Sequence, residues 1–314
     1  MIYCSDSLSR FCFFGFCMHK DNYKDNNRYA FWIKLASTAS VTTASILVFV
    51  KTWGWLQTHS VSMLASLIDS STDLMVSILS FLAVRYALKP ADDDHHFGHG
   101  KAEALAALAQ ALMITGSAIY LLLSALEQMY QPRQLETLEL GAWAMGFSLM
   151  MTLLLLSIQR VAVAKTGSIA IQADSLHYAT DLLSNGAVLL TMILLMYGWT
   201  GLDPWVALLV AGYVLFSAWK IAMVSFDQLM DKQLPTNIEA EMLAIAQSVE
   251  GVVRAHNLRS RQSGSLFVVQ LYIDLHPQIP LHESHRLGDT VRDAIIARYP
   301  NTDVLVHEEP AHLL

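Results

Sequence analysis

Six stretches of the chain are apolar and long enough to cross about 30 Å of hydrocarbon, which takes roughly 20 residues of helix. They fall near residues 32–55, 61–88, 102–129, 138–163, 172–197 and 203–226. Polar breaks separate them at Thr58-His59-Ser60, Asp92-Asp93-Asp94, Gln131-Pro132-Arg133, Lys165-Thr166-Gly167 and Gly201-Leu202-Asp203-Pro204. From about residue 228 the pattern shortens. Thr236–Val249 puts Ile238, Met242, Ile245 and Val249 on one face of a helix. Val252–Arg261 and Ser265–Leu275 read as strands joined at Ser263-Gly264, with Phe267, Val269, Leu271 and Ile273 alternating. His282–Tyr299 reads as a second helix and Asp303–His307 as a last strand. The pattern predicts an α-helical integral membrane protein with six transmembrane helices, followed by a two-layer α+β domain of order αββαβ. The expected divisions are an N-terminal segment 1–28, a membrane domain 29–227 and a cytoplasmic domain 228–314.

Two of the spans carry residues that hydrocarbon disfavours. Asp69 and Asp73 interrupt the second, and His177 and Asp181 interrupt the fifth. Each pair is spaced i, i+4, so both members lie on one helix face a turn apart. An ionisable residue at membrane depth costs several kcal/mol by most scales, which marks these positions as functional. No Lys or Arg lies beside them in either span to neutralise them. Three carboxylates and an imidazole match a tetrahedral divalent-metal site or a proton pathway. Asp174, three residues before His177, reads either as a partner for its ring N–H or as a helix-end residue at the membrane surface.

Charge orients the spans. Lys20, Lys24, Arg28 and Lys34 precede the first, and Arg85, Lys89 and Lys101 lie between the second and third. Arg160 and Lys165 lie between the fourth and fifth, and Lys220 and Lys232 follow at the end. The other side holds Arg133 and little else, with Lys51 near it. The positive-inside rule puts both termini in the cytoplasm, and an even number of spans agrees with this. The 54% hydrophobic and 15% charged composition agrees with a membrane protein, and a net charge of −7 excludes the basic stripe that nucleic acid needs. Cys4, Cys12 and Cys17 are the only cysteines, which leaves no disulfide framework or thiolate site in the body of the chain. Residues 1–17 read as a mis-called start or a disordered tail, with no signal-peptide cleavage pattern, and Met18 opens a polar leader.

Two further groups carry ligand chemistry. Asp92, His95 and His99 sit in the loop after the second span, where the spacing can put all three on one side. An acidic solvated loop is the competing reading. His256, His285, His307 and Glu309 are scattered through the soluble domain, where His residues more often have no metal.

These residues resemble the cation diffusion facilitator family, in its bacterial zinc/ferrous-iron efflux branch. The resemblance is carried by Asp-x3-Asp and His-x3-Asp in the second and fifth spans. It is carried also by Pro90-Ala91-Asp92-Asp93, Phe97-Gly98-His99-Gly100-Lys101-Ala102-Glu103 and Ala106-Ala107-Leu108-Ala109-Gln110. Ala173-Asp174-Ser175-Leu176-His177-Tyr178, Ala255-His256-Asn257-Leu258-Arg259 and Arg261-Gln262-Ser263-Gly264 extend it. It covers about residues 28–310. It implies a metallochaperone-like cytoplasmic domain, a homodimer in the bacterial inner membrane, and three metal sites. The transport site would be Asp69, Asp73, His177 and Asp181, and the loop site Asp92, His95 and His99. A cytoplasmic two-metal site would use His256, Tyr272, His285, His307 and Glu309. A member of the family has His at the position of Tyr272 and Asp at that of Glu309. A phenol is a poor zinc ligand at neutral pH, with an ordinary pKa of about 10. The reading therefore retains His285, His307 and Glu309 and discounts the metal at His256. The resemblance also implies a Lys101–Asp231 pair near the membrane surface, at the dimer interface.

The expected activity is export of Zn2+ in exchange for protons, with no organic cofactor. Cd2+ is an expected passenger, and Fe2+ or Mn2+ is the alternative cargo. Metal ligands must be deprotonated, so acid on the outer side weakens the site, and His177 is the natural proton carrier. Two other classes remain open. His95-His96-x-x-His99 suggests a membrane di-metal oxygenase, and flux indifferent to a pH gradient would suggest a channel.

Overall fold

The computed structural model describes residues 26–58, 61–130, 139–196 and 203–311. Residues 1–17, read above as a mis-called start or tail, lie outside the described residues, as do the breaks at 131–133 and 201–202. The chain divides into two compact units. One holds residues 31–88 and 102–226, and the other joins residues 89–101 to the region from Asp227 onward.

The first unit is built from long helices: α1 (Asn26–Thr58), α2 (Val61–Ala87), α3 (Lys101–Tyr130), α4 (Glu139–Thr166), α5 (Ile169–Met196) and α6 (Asp203–Leu229). The shortest has 27 residues, or about 40 Å at 1.5 Å rise per residue, enough to cross a bilayer. Among the described residues, α1, α2, α3, α4 and α6 contain a window apolar enough for a membrane span. Helix α5 is as long, but Asp174, His177 and Asp181 interrupt it.

The helices turn small residues inward and large apolar ones outward. On α1, Ala36, Ser37, Ser40, Thr43 and Ala44 are buried, whereas Phe31, Leu35, Phe49 and Trp53 are exposed. Met75, Tyr120, Leu209 and Phe216 are likewise exposed. That inversion suits a lipid solvent, where association relies on close backbone approach and internal hydrogen bonds. Helix α5 packs along α4 and against α2. Leu155, Leu156, Tyr178 and Ala179 form a small apolar core there. A buried polar network ties four helices beside it. The Asp174 carboxylate accepts from Ser40 Oγ at 2.5 Å and Gln159 Nε2 at 2.7 Å, and Ser77 Oγ meets Tyr178 OH at 2.7 Å. Asp174 is therefore neither at a helix end nor bonded to His177.

In the second unit α7 (Thr236–Gln247), β1 (Val252–Ser263), β2 (Leu266–Leu275), α8 (Leu281–Arg298) and β3 (Thr302–Pro310) follow in order. The predicted αββαβ order matches them element by element. Strand β2 is central, antiparallel to β1 and parallel to β3. A parallel pair needs a crossover, which α8 supplies. Alternation along β2 sends Phe267, Val269, Leu271 and Ile273 into a core with Met242 of α7 and Leu287, Val291 and Ile295 of α8. Tyr272 and Asp274 consequently fall on the face that the helices leave open.

Glycine decides one contact. Gly264 turns the β1–β2 hairpin at φ +59°, and a Cβ on Gly100 would stand 2.5 Å from the Ser263 carbonyl oxygen. Only glycine allows the 89–101 segment to approach the hairpin this closely.

Leu271 is fully buried at the centre of the sheet. Leu271→Ala is expected to cost the soluble unit about 2–5 kcal/mol, read as a lowered unfolding midpoint of the full chain. A change within about 0.5 kcal/mol would contradict a central β2.

Candidate metal centres

The intramembrane group forms where α2 faces α5. His177 Nε2 lies 3.1 Å from Asp73 Oδ1. Ligand atoms of Asp73, His177 and Asp181 all lie within 4.8 Å of one another, each residue partly buried. The i, i+4 spacing of His177 and Asp181 aims both from α5 at one point, and Asp73 answers from α2. Two carboxylates and an imidazole are donors that could hold a divalent metal ion. Asp69 stands one turn earlier on α2, exposed and outside this group.

The structure also supplies a cation that a reading along α2 and α5 misses. Lys51 of α1 donates to Ser70 Oγ at 2.6 Å and to the Ser66 carbonyl at 3.3 Å, next to Asp69. Its only signal in the sequence is a lysine inside an apolar stretch.

The loop group also assembles. Asp92 Oδ1 accepts from the His95 amide at 2.7 Å and lies 3.2 Å from His95 Nδ1. Asp92 Oδ2 lies 3.3 Å from His99 Nε2. His99 is buried, and its Nδ1 lies 3.2 Å from the Pro90 carbonyl. A carbonyl can only accept, so Nδ1 is the donor in that contact, and Nε2 is the ring nitrogen that faces Asp92. Desolvation pushes the Asp92 carboxyl upward, but the hydrogen bonds from His95 and the charges of His99 and His95 outweigh it and hold the group below the usual carboxylate range.

In the soluble unit the cross-strand register places His256, Tyr272 and His307 in one row and Asp274 and Glu309 in the row beside it. All project from the open face of the sheet. His256 Nε2 lies 3.0 Å from Asp274 Oδ1 and 3.9 Å from Glu309 Oε2, and these three residues form the compact ligand group. Asn257, at φ 49°, lies within a register shift directly after His256. His307 Nε2 is 3.7 Å from Glu309 Oε1. His285 stands exposed on α8, with Asp289 3.7 Å away. Among the described residues the geometry thus gathers His256 with Glu309 and leaves His285 and His307 outside the group. Asp274 is the member that sequence reasoning missed. Its signal was alternation, because it lies two residues after Tyr272 on the same strand face.

Lys101 and Asp231 meet within the chain. Lys101 Nζ lies 2.8 Å from Asp231 Oδ1, and Arg261 reaches Asp231 Oδ2 at 3.2 Å. The Arg261 guanidinium also lies 4.6 Å from the centre of the Phe97 ring, so this cluster braces the loop that carries the Asp92 group. Asp231 closes α6 in the left-handed conformation, φ 56°, while the Lys232 amide reaches back to the Asp227 carbonyl. Desolvation raises the Asp231 carboxyl, but Lys101 and Arg261 override it and hold the group below its ordinary value.

Comparison with known proteins places these features in one family. The cation efflux transmembrane domain matches residues 37–230, and the cation efflux cytoplasmic domain matches residues 234–311. The chain therefore belongs to the cation efflux family, a family of membrane transporters. The cation-efflux pump FieF of Yersinia enterocolitica (strain NCTC 13174 / 8081) is 42% identical over 283 residues, covering 90% of this chain and 94% of that protein. FieF of Yersinia pestis (strain Pestoides F) is 41% identical over 287 residues, covering 91% and 96%. A solved MamM CTD is 19% identical with a TM-score of 0.24, covering 24% of this chain and 98% of that one. The protein is a multi-pass, FieF-like divalent-cation efflux transporter and not an enzyme, which removes the oxygenase reading.

A low native pKa at Asp231 means stability that is present above the unfolded value, about 3.9, and lost as pH falls through the native one. Asp231→Asn retains the left-handed turn and is expected to destabilise the full chain at pH 7 by no more than about 1 kcal/mol. The deficit should shrink below about pH 4 in thermal unfolding of the detergent-solubilised protein. A deficit independent of pH would show that the ion pairs do not cause it.

Proposed function

We propose that the chain exports Zn2+ from the cytoplasm in exchange for protons, by alternating access at Asp69, Asp73, His177 and Asp181. The observation that supports this reading is the convergence of Asp73, His177 and Asp181 within 4.8 Å between two membrane helices. Carboxylate with imidazole suits Zn2+, and Cd2+ can share the site. Fe2+ and Mn2+ are the alternative cargo on ligand type. Loaded from the cytoplasm, the site holds metal through deprotonated ligands. Facing the outside, it takes protons on His177 and a carboxylate, and the weakened ligands release the metal. The helices alternate between two packings, each exposing the site to one side.

Asp92, His95 and His99 have the donor types and convergence of a zinc site, and they would hold a resident Zn2+ in the loop. His256, Asp274 and Glu309 would hold another in the soluble domain. His307 lies close enough to Glu309 to complete it, whereas His285 would need to approach from α8. Tyr272 stays in the row as a neighbour of both histidines. We further propose that the protein works as a homodimer in the bacterial inner membrane, with both termini cytoplasmic. Residues 29–227 would form the membrane domain and 228–314 the cytoplasmic domain.

Zinc flux into proteoliposomes under an imposed pH gradient tests this reading. Wild type should show gradient-driven flux. Asp73→Ala and Asp181→Ala should abolish it while the protein remains folded by circular dichroism. Retained flux in either variant would refute the site, and wild-type flux blind to the gradient would mean a channel. If wild type moves Fe2+ or Mn2+ and no Zn2+, the cargo assignment fails.

A further inference from the structure

Asp174 is fully buried on α5, and only one of its two oxygens is hydrogen-bonded. Oδ2 accepts from Ser40 Oγ of α1 at 2.5 Å and from Gln159 Nε2 of α4 at 2.7 Å. Oδ1 is buried with no partner. Gln159 is equally buried, and its amide oxygen Oε1 also has no partner. Two flat groups thus meet through one hydrogen bond, and each leaves its other oxygen unsatisfied.

An ionised carboxylate accounts for only half of this arrangement. It can only accept, and its charge is shared by both oxygens, so both need donors. Among the described residues, no lysine, arginine or histidine forms an ion pair with Asp174. The amide oxygen of Gln159 can only accept as well, so a bare Oδ1 and a bare Oε1 have nothing to offer each other. A single proton answers both. The neutral acid has a carbonyl oxygen with two lone pairs, which matches the two donors at Oδ2. Its hydroxyl must donate, which matches an amide oxygen in need of a donor. A carboxylic acid and a primary amide joined by N–H···O and O–H···O satisfy both oxygens and bury no charge.

We propose that Asp174 is a positioning residue held as the neutral carboxylic acid, with its proton on Oδ1 and donated to Gln159 Oε1. It pins α5 to α1 and α4 about one turn before His177. Ser40 carries the connection to a third neighbour. Its Oγ lies 3.4 Å from Ser77 Oγ of α2, which meets Tyr178 OH at 2.7 Å. The turn of α5 that precedes His177 is thereby fixed in rotation, and the imidazole is kept facing Asp73. Asp174 adds no negative charge beside the metal ligands. Its role in transport rests on the reading that His177 carries the cargo.

Infrared difference spectroscopy of the full chain in proteoliposomes at neutral pH, wild type against Asp174→Asn, tests the protonation state. The expected difference contains the C=O stretch of a protonated carboxyl, present in wild type and lost in the variant. A difference that contains only carboxylate bands overturns the proposal. Zinc flux under an imposed pH gradient tests the role. Asparagine keeps the acceptor and offers an N–H to Gln159 Oε1, so Asp174→Asn should retain flux within about threefold of wild type. Asp174→Leu leaves Ser40 and Gln159 without their shared acceptor, so flux should fall by about tenfold or more. Flux abolished in Asp174→Asn overturns the proposal, because a side chain that must ionise or cycle a proton is indispensable where a neutral acid is not. Undiminished flux in Asp174→Leu overturns the positioning role. If Asp174→Leu does not fold, the two Asp174→Asn measurements decide. The infrared readout needs no transport, so a failure of the zinc reading leaves it decisive.

Discussion

A carboxylate cannot sit bare in hydrocarbon, and much of the helical unit is arranged around that constraint. Asp174 meets it at one oxygen, Oδ2, which accepts from Ser40 and Gln159 on two other helices, while Oδ1 is buried without a hydrogen bond. Asp73 meets it with the His177 imidazole. Each solution requires neighbouring helices to come close, and close approach requires small side chains on the inward faces. The large apolar residues are thereby displaced outward, where lipid accepts them. The polar interior and the greasy exterior of this unit follow from the same requirement.

The soluble unit solves a different problem with ordinary means. One sheet face is buried under α7 and α8, and the other is left open. On the open face, strand register and not sequence proximity decides which side chains meet. His256 and Glu309 are more than fifty positions apart in the chain but neighbours across β2. The register shift after His256 marks where regular pairing with β2 is interrupted beside the ligand group.

The helical spans and the αββαβ order were legible because both rest on periodicity, which local sequence carries directly. The breaks at Thr58, Lys165 and Pro204 also mark real ends, since polar and ring-constrained residues cannot continue an apolar helix. The Asp73, His177 and Asp181 convergence was legible from spacing, because i, i+4 on two helices leaves few other arrangements. Three things were not. Lys51 belongs to a third helix, and its proximity depends on how α1 packs against α2. Asp274 was hidden because Tyr272 drew attention as a departure from the family pattern, although alternation puts both on one face. The separation of His285 from Glu309 depends on α8 lying over one side of the sheet, which pattern alone does not settle. Lys51 and His285 are matters of packing between elements, whereas Asp274 was within reach of the alternation along β2.

The inward face of α1 is lined with methyls and hydroxyls: Ala36, Ser37, Ser40, Thr43 and Ala44. This small-residue stretch lies between two larger buried side chains of the same helix, Ile33 and Leu47. Ser40 already has partners on two other helices: it donates to Asp174 at 2.5 Å, and Ser77 Oγ lies 3.4 Å away. If the membrane helices move past one another as proposed above, the trading of such short bonds is part of what resists the motion.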